Sequence, residues 1–277
     1  MTDLRFTPGQ AVDVRNAIRG GSWRVAAYRY KNMSKWMSSV IAFGLGNPIL
    51  NLISFGLGIG ALVDKNTGGH GIAGVGYLQF VAPALLAAAA IQGIVDEVTG
   101  PVLDGFIWDE YFFAQAATSL NHKQIINGIM IVASGRGLFT SILYGGVLVG
   151  FGAIPLASLL PLILVGVVSS TAWAALVFSW TSRLTDANSV FDIIHRFVMM
   201  PMFLFSGTFY PLSSSPIYLQ WIGWISPLWH ATELGRALTI GTQIPAWLLV
   251  VHVLYFVIMF VVGLALTYPV FKRRLFS

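Results

Sequence analysis

The chain has 277 residues, 56% of them hydrophobic and only 10% charged, with a mean hydropathy of +0.75 and no cysteine. Soluble domains carry about 25% charged residues, so a large soluble domain is excluded, and so are disulfides, thiolate metal sites and thiol catalysis. The formal charge of +5 does not point to nucleic acid. Arg5, Arg15, Arg19, Arg24, Arg29, Lys31 and Lys35 precede the first apolar stretch, and Lys272, Arg273 and Arg274 follow the last, as in the basic flanks that stay on the cytoplasmic side of a membrane.

Residues 1–35 contain no apolar core with a small-residue cleavage site, so they are expected to stay on the chain as a cytoplasmic region. Basic residues alternate there with Trp23, Tyr28, Tyr30 and Met33, the pattern of an amphipathic helix on a membrane surface, interrupted at Gly20-Gly21. Beyond it, the stretches 36–63, 71–95, 137–182, 197–232 and 237–271 hold no Asp, Glu, Lys or Arg. A hydrocarbon core of about 30 Å needs roughly 20 helical residues, and the third stretch accommodates two crossings with a fold-back between Pro155 and Pro161. The expectation is an all-α polytopic protein, residues 36–277 forming one domain with spans at about 37–61, 77–97, 126–152, 159–181, 190–209 and 246–269. Six crossings place both basic termini in the cytoplasm. Glycines 56, 58 and 60, and also Gly146 and Gly150, read as places of close helix approach.

Between the second and third spans lies a polar link with Asp104, Asp109 and Glu110, then Trp108 to Phe113, then a turn region ending at Lys123. A short helix with exposed aromatics suits docking to a soluble partner; the alternative is a solvated turn. Before the last span, residues 210–243 are too aromatic for a loop (Tyr218, Trp221, Trp224, Trp229) yet are broken by Pro211, Pro216 and Pro227. They read as a re-entrant pair of helices, at about 217–224 and 228–239, with Glu233 and Arg236 three residues apart on one face. Arg136 lies within or at the edge of the third span. It either pairs with Asp96 or Glu97 as a buried charge or snorkels to the interface.

The chain has no Gly-x-x-x-x-Gly-Lys-[Ser/Thr] phosphate loop and no Gly-Lys dipeptide, so no cofactor or nucleotide is expected on it. The histidines are scattered and offer no three-ligand zinc site. Ser206 and His252 are the residue types of an intramembrane hydrolase dyad, which leaves an enzyme as one alternative and an ATP-independent transporter or a sensor subunit as others.

Several segments carry a family likeness. They are Asn47-Pro48-Ile49-Leu50 with Phe55-Gly56-Leu57-Gly58-Ile59-Gly60, and Tyr77-Leu78-Gln79-Phe80-Val81-Ala82-Pro83. The most specific is Phe205-Ser206-Gly207-Thr208-Phe209-Tyr210-Pro211-Leu212 followed by Ser226-Pro227-Leu228-Trp229-His230-Ala231-Thr232-Glu233-Leu234-Gly235-Arg236. In these the chain resembles the permeases of type-2 ATP-binding-cassette exporters, with the likeness strongest to lipo-chitooligosaccharide (nodulation factor) and daunorubicin-resistance exporters. It departs from them at Ala84, where glycine is usual, and at Thr118-Ser119-Leu120, where Thr-Pro-Leu is usual. The resemblance implies a multi-pass protein of the prokaryotic cell membrane that is not itself an enzyme. ATP and Mg would be used by two copies of a partner ATPase subunit, and a second permease, identical or related, would complete the assembly. It implies export of an amphiphile such as a lipid-linked glycan, a lipid or a hydrophobic drug. Phe113, Ser119, Leu120, His122 and Lys123 would meet the ATPase, and Pro211, Pro227, Glu233 and Arg236 would belong to a re-entrant cap at the exit.

Overall fold

A computed structural model describes residues 20–68, 71–185 and 194–276. The described residues are helical, without a strand; one isolated bridge joins Ile72 and Val75. Helix α1 (Gly21–Met33) follows Gly20, whose φ of 79° is easy only for glycine. The chain then stays helical to residue 66, through α2 (Met37–Asn51), a π-helical stretch (Leu52–Gly60) and α3 (Ala61–Asn66). The expected continuation of the surface helix over residues 8–19 lies outside the described residues, as do residues 190–193 at the start of the fifth expected span.

Among the described residues, four helices are long and apolar enough to cross a membrane, in the segments Tyr77–Trp108, His122–Gly150, Leu156–Thr181 and Ala246–Phe276. The first contains α4 (Tyr77–Leu103), which runs on as π-helix through Asp104–Trp108. The Asp64 carboxylate accepts the Tyr77 N–H at 3.1 Å, placing a negative charge at the positive end of α4. Asp96 and Glu97 do not end the helix as the sequence suggested. Glu97 is buried and paired, so the helix carries its charge inward and continues. Helix α5 (Tyr111–Ala116) is short. Helix α6 (His122–Gly150) starts four residues earlier than expected because Asn121 and Gln124 form a reciprocal capping box, at 2.9 and 3.0 Å. Helix α7 (Leu159–Thr181) matches its expected bounds, with Pro155 opening the turn before it.

Further along, a π-helical turn (Ile194–Met199) leads into α8 (Met200–Phe205). Its apolar part, Arg196–Phe205, is shorter than a span among the described residues. Two short helices follow, α9 (Ile217–Ile225) and α10 (Pro227–Thr239), close to their expected positions. Pro227 occupies the first turn of α10, where its missing N–H is harmless, and the Ser226 hydroxyl accepts the Leu228 N–H at 3.2 Å. Helix α11 (Ala246–Phe276) passes through Pro269 and ends about two turns beyond the expected limit.

The bundle is built on α4, α6 and α7, with α11 laid along α7 and α1 along α6. These contacts depend on small residues. A Cβ on Gly263 of α11 would sit 2.4 Å from the Ala175 backbone of α7, and one on Gly128 of α6 would sit 2.6 Å from Val25 of α1. The glycines singled out by sequence divide. Gly56 faces Leu78, but Gly146 and Gly150 face open space, and the tight contacts of α6 with α4 and α7 fall at Gly137 and Gly145 instead. Those two lie on the face turned toward α4 and α7, whereas the i, i+4 pair lies on the other.

Candidate functional site

The end of the bundle that carries α5 and Lys272–Arg274 (the basal end) is held by one polar cluster and one aromatic cluster. In the first, Arg29 of α1 pairs with Glu97 of α4, each side chain only 8% exposed. Arg29 also donates to the Tyr111 hydroxyl at 2.6 Å. Tyr111 in turn donates to the carbonyl of Pro101. The guanidinium lies 3.5 Å from the Glu97 carbonyl, which Pro101, lacking an N–H, cannot engage four residues on. Burial alone would lower the Arg29 pKa, but Tyr111 and Glu97 outweigh it and hold the guanidinium above its ordinary value. Burial pushes the Tyr111 phenol up to about 12, against the pull of Arg29. The charge-assisted hydrogen bonds of Arg29 thereby join α1 to both α4 and α5.

The aromatic cluster fastens α5 from beneath. Phe112 is fully buried, with its ring 4.8 Å from Phe106 and 5.3 Å from Phe271, and Phe178 stacks edge-on behind Phe271 at 5.4 Å. Gly105 admits Phe112: a Cβ there would meet its ring at 2.4 Å. The turn entering α5 is tight, with Glu110 at φ 53°, uncommon for a residue with a side chain.

The residues expected to meet a partner lie on the outer side of this anchored turn. Phe113 is 41% exposed and Trp108 55%. Ser119 and Lys123 are exposed, and Leu120 and His122 are half-buried. The ammonium of Lys123 sits 5.9 Å from the Tyr268 ring, and the ring of His122 is 6.2 Å from Phe276. At Thr118-Ser119-Leu120 the turn is held by Thr118, whose hydroxyl donates to the Gln115 carbonyl at 2.7 Å and accepts the Leu120 N–H at 3.3 Å. Sequence reading named Phe113 but missed Phe112, Arg29 and Tyr111. The adjacent pair Phe112-Phe113, one facing in and one facing out, is the signal that could have revealed the anchor.

At the opposite, apical end, Arg236 of α10 is 2% exposed and works as a junction. Its Nη1 reaches Glu233 at 3.2 Å, its Nη2 donates to the carbonyls of Gly207 and Thr208 at 2.7 and 3.2 Å, and its Nε donates to Phe80 of α4 at 3.2 Å. The guanidinium also lies 3.6 Å from the centroid of the Phe80 ring. The structure thus brings Glu233 and Arg236 together, and adds the segment after α8 and the start of α4. Pro211 precedes a 3-10 turn (Leu212–Ser214) on that segment, and Leu212 packs against Gly223 of α9.

Ser206 and His252 do not form a dyad. The Ser206 hydroxyl donates to the Ser226 hydroxyl at 2.6 Å, and His252 Nδ1 lies 2.6 Å from Nδ1 of His230. His230 Nε2 faces the Trp224 carbonyl at 3.1 Å, an acceptor, so that nitrogen carries the proton. His230 Nδ1 must then accept from His252, a bonding pattern that neutral rings satisfy.

Nor does Arg136 pair with Glu97, whose carboxylate is taken by Arg29. It lines a cleft of about 300 Å³ between α1, the start of α2 and α6. No group of three or more metal-ligating side chains occurs among the described residues.

A family model described as ABC-2 type transporter matches residues 23–240, from α1 to the end of α10. Nodulation protein J of Rhizobium leguminosarum bv. trifolii is 26% identical over 232 residues, covering 83% of this chain and 86% of that protein. Nodulation protein J of Sinorhizobium fredii is 25% identical over 260 residues, 92% and 95% of the two chains. The protein of the same name from Bradyrhizobium diazoefficiens is 25% identical over 254 residues, 88% and 91%.

Proposed function

Because the chain belongs to the ABC-2 type transporter family, a family of membrane transporters, we propose that it is the transmembrane subunit of an exporter driven by a separate ATP-binding-cassette ATPase. The working assembly has two ATPase copies and a second permease, identical or related. Its cargo is an amphiphile: a lipid-linked glycan, a lipid or a hydrophobic drug. ATP and Mg act on the ATPase, and the chain itself catalyses nothing.

The observation that carries this reading is the anchored α5 turn. Its outer face presents Trp108 and Phe113, while its inner face is bolted to the last turns of α4 and to α11 by Tyr111 and Phe112. An aromatic patch raised on a rigid base can dock a soluble protein and pass a push directly to a membrane helix. Arg29 links the same base to α1, so α1 and α4 move with it.

The proposed topology has six crossings with both termini cytoplasmic, in the cell membrane. Residues 37–66 supply the first, about 45 Å of helix at about 1.5 Å per residue, and the segment about 190–209 the fifth. α9 and α10 form the re-entrant cap, with Pro211, Pro227, Glu233 and Arg236 at its joints, and Arg236 ties it to α4 and to the end of the fifth crossing.

The test is reconstitution of the chain with a candidate ATPase in vesicles. ATP hydrolysis that rises on adding the chain, and falls to the ATPase-alone rate with Phe113→Asp or Lys123→Glu while the variants still insert, supports the reading. Full stimulation and transport by both variants rejects the docking surface.

A further inference from the structure

The cleft beside Arg136 sets a cation at the edge of an apolar wall. Its walls are Tyr30 and Met33 of α1, Met37 at the start of α2, and Leu138, Phe139 and Ile142 of α6. Leu138 and Ile142 are 43% and 49% exposed, so the cleft opens sideways, where acyl chains would lie. Among the described residues no carboxylate pairs with Arg136, and its Nε is buried with no hydrogen-bond partner. Lining residue Tyr30 lies on the α6 backbone, its hydroxyl where a Gly135 Cβ would stand.

Position along the helix adds a second constraint. From Arg136 to the apical end of α6 at Gly150 is about 20 Å at about 1.5 Å per residue. In a hydrocarbon core of about 30 Å that leaves Arg136 roughly 10 Å inside the basal boundary. At that depth an unpaired cation is costly and is found with a partner or reaching for one. The cation, the phenol and the apolar wall together match a molecule with an anionic head and a hydrocarbon tail.

We propose that this cleft holds an anionic glycerophospholipid of the basal leaflet. Its phosphate is drawn down to the guanidinium of Arg136, hydrogen-bonded in the forked geometry that arginine offers. One acyl chain lies along Met33, Met37, Leu138 and Ile142. The lipid stands between α1 and α6, next to the Gly135–Tyr30 contact, and so braces the helix that Arg29 ties to the docking base. The site does not depend on the exporter reading, because it needs only a chain embedded in a bilayer.

Native mass spectrometry of the full chain in detergent, titrated with phosphatidylglycerol or phosphatidylcholine, tests it. The expected result is selective phosphatidylglycerol adducts, weakened roughly ten- to hundredfold by Arg136→Gln, as for loss of a charged hydrogen-bond partner. Leu138→Trp, which fills the cleft and keeps the charge, should weaken them comparably and guards against a folding defect in the first variant. Arg136→Lys should retain part of the selectivity. Equal adducts in wild type, Arg136→Gln and Leu138→Trp would overturn the site. Solvent extraction of the purified wild type identifies the source of the phosphate. Glycerophospholipid recovered from wild type and lost from the variants supports the assignment. A different phosphate-bearing amphiphile, present only when the cargo is being made, would overturn it in favour of a cargo site.

Discussion

Replacing Arg29 and Glu97 singly and together isolates the polar bolt at the basal end. Both side chains are 8% exposed, and Tyr111 sits on the guanidinium at 2.6 Å. Glu97→Met leaves the Arg29 cation buried with only a phenol and a carbonyl nearby. Arg29→Met leaves a buried carboxylate with nothing in its place. Removing one partner of a buried pair costs about 3–5 kcal/mol, whereas replacing both with apolar groups of similar volume is often close to neutral. The double variant should therefore be more stable than either single one, with a coupling energy of about 2–4 kcal/mol. Thermal unfolding of the four purified proteins in one detergent measures this, with unfolding midpoints as the readout. Additivity within about 0.5 kcal/mol would show that the two charges do not depend on each other and refute the bolt.

Three further outcomes follow from the same geometry. Gly128→Leu should detach α1 from α6, since even a Cβ there meets Val25 at 2.6 Å and the Ser22 carbonyl at 2.7 Å; faster protease cleavage within α1 in otherwise inserted protein checks it. Exchanging the charges of Glu233 and Arg236 should not rescue either single replacement. A glutamate at position 236 would face the carbonyls of Gly207, Thr208 and Phe80 in place of a donor, and recovery of wild-type yield by the exchange would contradict this. Tyr111 has its pKa raised from 10.0 to about 12, so the folded state favours the neutral phenol. The stability it contributes is fully present below pH 10 and is lost as pH rises toward 12; Tyr111→Phe should flatten that limb of a stability-against-pH curve, which amide exchange at α5 can follow.

Much of this arrangement is legible in the sequence, and what is not has identifiable physical causes. The bounds of α7 follow from its uncharged run and the prolines before it, and α9 and α10 from their alternation of aromatics and prolines. The start of α6 is also readable, because Asn121 and Gln124 have capping-box spacing that extends the helix back from residue 126. The end of α4 was not. Asp96-Glu97 reads as a boundary until a cation arrives from 68 residues away, and nothing near Glu97 announces Arg29. The same holds for Arg136, since Glu97, one of its two expected partners, is occupied by that cation. Short-range pairs such as Glu233 and Arg236 were visible from spacing, but the three carbonyls that Arg236 also serves lie on two other elements. Local chemistry was readable; which distant side chain would claim a buried charge was not.

The central claim is that α5 receives a push from a separate ATPase and delivers it to α4. Its most direct measurement is disulfide crosslinking between Phe113→Cys and single cysteines on the paired ATPase, in vesicles, with and without ATP. The chain has no native cysteine to interfere. The account predicts a crosslink that forms with the ATPase and halts ATP-driven transport until it is reduced. Transport that proceeds with no ATPase present, or an ATPase that is required yet never crosslinks to any position on this turn, would contradict it.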